Sequence, residues 1–194
     1  MIASLREAYN RNFSHARYEA MLDWIARQHR HRPSFRIAEP PIFIPASLKH
    51  RLFEACEEIV DVLVRPDFRA RSAGALCAGQ SVPAETPHTA FLQMDFGICR
   101  DGAGRFLPQL IEVQGFPSLY FFQHLLAQAY RRHFDIPDGF HHLFGGGDET
   151  DYLERLRSII VGDHHPENVV LLEVEPARQP TLIDFVICRD LLGV

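Results

Sequence analysis

Hydrophobic residues recur along this chain at two periods, and the switches between them outline its elements. Helical spacing runs over 14–30, where Tyr18, Met21, Leu22 and Ile25 share one face and Ser14 can serve as the N-cap. The basic stretch that follows reaches Pro33, which predicts the stop. Residues 47–64 carry the broadest apolar stripe, built from Leu48, Leu52, Phe53, Cys56, Ile59, Val60 and Leu63, and Pro66 ends it. Further helices are predicted over 119–133, from Asp148 or Thr150 to Ile160, and over 181–192 with Gly193 as a stop signal. Prolines bracket 40–45, which reads as an edge strand or a strap across the surface. Residues 65–88 read as a long loop, and 134–147 as a connector closing on Gly145-Gly146-Gly147.

Period 2 takes over in 89–99 and 106–114, on either side of the turn Asp101-Gly102-Ala103-Gly104. Leu92, Met94, Phe96 and Ile98 alternate with Gln93 and Asp95; Leu107, Ile111 and Val113 leave Glu112 and Gln114 on the other side. If Arg100 pairs with Arg105, Asp95 lies opposite Leu110 and diagonal to Glu112. Two carboxylates and a carboxamide oxygen on one strand face would form a hard, oxygen-rich site suited to magnesium or manganese. The same alternation also suits an ordinary wet hairpin face. Gly115-Phe116-Pro117-Ser118 then forms a strand-to-helix elbow, where Ser118 can cap the helix and its first N–H groups can face an anion.

Asn168-Val-Val-Leu-Leu-Glu-Val174 is nearly continuous in apolar residues, the mark of a strand buried on both faces. Followed by the helix over 181–192, it reads as the start of a β-α-β unit. The expected fold is therefore α/β in the α+β sense, with an antiparallel hairpin-centred sheet flanked by helices. The division expected is 1–36 as a helical segment, 37–160 as a half-domain around the hairpin, and 161–194 as the beginning of a further α/β domain. A parallel strand needs neighbours, so the chain reads as the N-terminal portion of a longer protein; a small complete domain is the alternative.

Charge narrows the function classes. A net charge of −5 gives no polycation footprint, so nucleic acid is not an expected partner. Lys49 is the only lysine, which leaves one candidate for a flexible point charge on phosphate. Cys56, Cys77, Cys99 and Cys188 are scattered without a Cys-x-x-Cys pair, and the N-terminus is polar and charged, which together predict a reducing, cytoplasmic setting. No run is apolar enough to predict a membrane span. The histidine pairs His29/His31, His141/His142 and His164/His165 lack helical zinc spacing and read as surface residues.

The tract Met94-Asp95-Phe96, a glycine turn, Leu110-Ile111-Glu112-Val113-Gln114 and then Pro117-Ser118 resembles the ATP-grasp carboxylate–amine ligases, specifically the circularly permuted glutathionylspermidine synthase-like group. That resemblance implies Mg2+ and ATP as cofactors, with Asp95, Glu112 and Gln114 as metal ligands and Ser118 as a substrate-side contact. Gln114 stands where the group has Asn, and Gln93 where it often has Arg. It further implies small carboxylate and amine substrates joined through an acyl phosphate, with this portion by itself inactive. Two other functions stay open: a PD-(D/E)xK-like magnesium nuclease, and a non-catalytic remnant or interaction domain. Self-association through an unfinished sheet edge is a further expectation.

Overall fold

The computed structural model describes all residues except Ala78, Ser81, Val82, Glu85, Pro87, Phe116 and Pro117. The chain is α+β, with helices flanking a two-stranded antiparallel sheet, and it divides into two compact units. One comprises Met1–Phe43 with Ser118–Val194; the other is Ile44–Pro117. These boundaries are not those of the 1–36, 37–160 and 161–194 segments.

The first unit is helical: α1 (Ala3–Asn12), α2 (His15–Gln28), α5 (Tyr120–His133), α6 (Glu149–Ile160) and α7 (Leu182–Leu192). In α2 the Ser14 hydroxyl accepts from Arg17 N at 3.2 Å, and Tyr18, Met21 and Ile25 are buried on one face, as the spacing predicts. Helices α2 and α7 both pack on α5, which buries Phe121, Phe122, His124, Leu125, Ala129 and Tyr130. The periodicity does not predict α1; packing decides it, through the buried Tyr9 ring 4.8 Å from Phe134.

The proline-bracketed stretch 40–45 has no strand pairing and continues a strap whose preceding residues, 37–39, are held by three hydroxyls. Tyr18 donates to Ile37 O at 2.6 Å, Tyr9 to Glu39 O at 2.7 Å, and Tyr130 to Ala38 O. Consecutive carbonyls that no sheet would satisfy are thus bonded by side chains of three helices. Ile37 and Phe43 are buried beside them.

The second unit contains α3 (Ala46–Leu63), α4 (Phe68–Ser72), β1 (Gln93–Arg100) and β2 (Phe106–Gln114). Helix α3 packs on β2, and Leu48 is its buried residue. The 65–88 segment expected as loop thus contains a five-residue helix.

The strand expected at 168–174 does not form. A short 3-10 turn covers Pro166–Asn168, and the residues after it pair with no other strand among the described residues. Val170, Leu172 and Val174 are 79%, 85% and 78% exposed, so the segment is not buried on both faces. An apolar run becomes a sheet strand only where a neighbour satisfies its N–H and C=O groups, and here none does. The β-α-β start read from the sequence is corrected accordingly; only its helix, α7, is present. Among the described residues, no helix is long and apolar enough to cross a membrane.

Candidate functional site

The hairpin turn is built by Asp101. Its backbone oxygen accepts from Gly104 N at 2.9 Å, and its Oδ1 accepts from Ala103 N and Arg105 N, each at 2.9 Å. These bonds and the Arg105 guanidinium hold the Asp101 carboxyl below its ordinary pKa, with the Arg105 backbone bond the largest cause. Pairing starts at Arg100 with Phe106, one residue beyond the expected Arg105.

That register runs to Phe96 opposite Leu110, and there a bulge intervenes. Ile111 is the extra residue, and pairing resumes with Asp95 directly opposite Glu112 and Gln93 opposite Gln114. Asp95 therefore faces Glu112, not Leu110. The apolar face is correspondingly Met94, Phe96, Ile98, Pro108, Leu110 and Val113, whereas Leu107, opposite Cys99, shares a side with the acids. Ile111 is 69% exposed, and its Cδ1 lies 3.8 Å from where a Cβ on Gly97 would stand.

Asp95, Glu112, Gln93 and Gln114 thus converge on one face. Gln93 Nε2 donates to Asp95 Oδ1 at 3.0 Å; Gln114 Nε2 donates to Glu112 Oε1 at 2.5 Å and approaches Asp95 Oδ2 at 3.4 Å. Gln114 bridges the two carboxylates through its nitrogen, not its oxygen. Rotating the terminal amide by half a turn would present the oxygen instead, so the donor set fits a hard divalent ion in chemical type. It is short in charge: among the described residues, no group of three or more His, Cys, Asp or Glu side chains is placed to hold a metal ion.

Two residues of the elbow, Phe116 and Pro117, lie outside the described residues. Ser118 belongs to the first unit and does not cap α5; the N-cap is Leu119, in the left-handed region at φ 73°, with no bond from its side chain. An anion does occupy the helix N-terminus, and it is the protein's own. Asp184 of α7 accepts from Leu119 N at 2.9 Å through Oδ2 and from Phe122 N at 2.7 Å through Oδ1. Burial pushes the Asp184 carboxyl above its ordinary pKa, against the backbone N–H groups of Phe122, Leu119, Phe121 and Tyr120. The expectation of an elbow open to a phosphate is corrected on this ground. One signal in the sequence pointed to Asp184: it is the acid in the first turn of an otherwise oily helix, Leu182-Ile-Asp-Phe-Val-Ile-Cys188.

The histidines are not all surface residues. His29 Nδ1 lies 2.9 Å from Asp190 Oδ2, and His124, which no sequence pair flagged, is buried on α5. Cys56, Cys77, Cys99 and Cys188 are all free thiols, and burial pushes Cys188 up to about 12. Compared with known proteins, the chain matches no family model, no curated protein and no solved structure.

Proposed function

We propose that the chain is the Mg-ATP-handling portion of a carboxylate–amine ligase of ATP-grasp type, acting in a reducing, cytoplasmic setting on small carboxylate and amine substrates. The observation that carries this reading is Asp95 directly across from Glu112, with Gln93 and Gln114 on the same face. Magnesium bound there would neutralise phosphate charge and orient it for transfer to a carboxylate. Asp95 and Glu112 would hold the ion, with Gln114 supplying its amide oxygen after rotation. Ser118 enters only through the family resemblance, as a substrate-side contact. The N-terminus of α5 takes no part, because Asp184 fills it.

Titration of the full chain with Mg-ATP by calorimetry, repeated on the double variant Asp95→Asn, Glu112→Gln, tests the reading. Saturable heat that the double variant loses supports it. Heat that both proteins share removes the hairpin from nucleotide binding. Magnesium-dependent nicking of plasmid DNA by the wild type, abolished in the double variant, would replace it by the nuclease reading.

The glutamine bonds favour one other reading. Both amides already point N–H groups at the carboxylates, so the face satisfies itself without an ion, as the wet side of a non-catalytic interaction domain would. Absence of any magnesium or ATP heat selects it.

A further inference from the structure

We propose that the cavity walled by α5, α6 and the glycine-rich loop before α6 is a separate ligand site, shaped for a small carboxylate on a flat apolar body. The site lies wholly within the first unit and owes nothing to the hairpin. Its volume is about 320 Å³, at the lower end of the range for small-molecule sites, and its lining includes Tyr120, His124, His142, Phe144, Tyr152 and Arg155. Five of the lining residues carry rings, and His124 lies 5.8 Å from His142 and 5.9 Å from Tyr152, centroid to centroid.

The polar requirement comes from His124. Gln128 Nε2 donates to Glu149 Oε2 at 2.8 Å, which fixes the amide, because its oxygen would repel that carboxylate. The same nitrogen lies 3.2 Å from His124 Nε2, so Nε2 is the acceptor and the ring proton stays on Nδ1. Burial lowers the His124 pKa and outweighs the opposing pull of Glu149, so the ring is neutral at pH 7. Nδ1–H is then a donor on a ring only 5% exposed, and it has no partner among the described residues. A buried donor without an acceptor is rare in a native protein and marks a missing oxygen.

The remaining charges select the sign of that ligand. Asp151, which also lines the cavity, accepts from Asp148 N at 2.8 Å, and Glu149, 3.8 Å from His124 Nε2, accepts from Gln128, so each of these two carboxylates already has an N–H partner. Arg155 is exposed along the wall, and its guanidinium makes no ion pair among the described residues. An N–H donor and a guanidinium call for acceptor oxygens bearing negative charge, and the ring walls call for a flat body. Solvent does not reach Nδ1 as the ring stands, so the ligand needs a wall that yields. The adjoining loop passes through Gly146 and Gly147 at φ 80° and 83°, backbone that glycine adopts without strain.

Benzoate is the probe, titrated into the full chain while the histidine rings are followed by long-range 1H–15N NMR, with benzyl alcohol as the uncharged control of similar shape. Saturable shifts of the His124 Nδ1 and His142 signals at millimolar benzoate are expected. Benzyl alcohol should bind at least about tenfold more weakly, and Arg155→Ala should weaken benzoate by on the order of tenfold while leaving the melting temperature unchanged. His124 signals that do not move with benzoate overturn the site. Equal binding of the alcohol, or benzoate binding indifferent to Arg155→Ala, overturns the carboxylate class.

Discussion

Asp184 on α7 and Phe122 on α5 are joined by a carboxylate-to-backbone hydrogen bond of 2.7 Å, and this bond, with its companion to Leu119, ties the two helices together at one point. Sixty-two positions separate the partners along the chain. The side chain performs for α5 what a local N-cap does for other helices, since Leu119 has no oxygen to offer.

Asp184→Ala strands two backbone donors and should destabilise the first unit by about 3 kcal/mol, at roughly 1–3 kcal/mol for each unsatisfied buried group. Asp184→Asn, which keeps one acceptor oxygen, should lose about half of that. Urea unfolding followed by circular dichroism measures both. An alanine variant as stable as wild type would show that α5 does not depend on this cap.

The strap at 37–39 gives a second test. Tyr18→Phe removes the donor to Ile37 O and should cost about 1–2 kcal/mol, since the carbonyl stays buried. Burial also pushes Tyr130 up to about 12. A raised folded-state pKa means that the protein keeps this contribution below the unfolded value of about 10 and loses it as pH climbs towards 12. Phenolate absorbance rising together with loss of helix, rather than ahead of it, is the expected alkaline titration.

Acid should act through the histidines. Burial is the largest cause lowering the pKa of His124, His133 and His142, so the fold prefers each ring neutral. Stability is therefore complete above the ordinary histidine value of 6.5 and falls as pH drops below it, because the unfolded chain takes up those protons first. Melting temperature measured from pH 8 to about pH 5 should decline, and His124→Gln should flatten the decline. A flat wild-type profile would contradict the burial of these rings.

The bulge predicts tolerance at a residue that the alternating pattern assigns to the oily face. Ile111→Thr should change stability by less than about 0.5 kcal/mol, as expected for an exposed site. A loss near 2 kcal/mol would mean that Ile111 packs after all and that the ladder is regular.

Local order in this protein was written in local pattern. Ser14 caps α2, the 3.6-residue stripes mark α2, α3 and α5, and Asp101 with its glycines turns the hairpin, because each depends on residues within a few positions of one another. The acids also reached a common face, though by another register than the one expected: a single extra residue at Ile111 decides which side chain Asp95 meets, and period-2 counting has no means of seeing a bulge. Tertiary structure decided everything that required a distant partner. It filled the α5 terminus with Asp184, gave three tyrosine hydroxyls to one strap and, among the described residues, buried His124 without an acceptor and left 169–174 with no strand beside it. Hydrophobic period tells a segment which face to hide, but the group that satisfies a buried N–H, carbonyl or carboxylate is chosen only when remote parts of the chain meet.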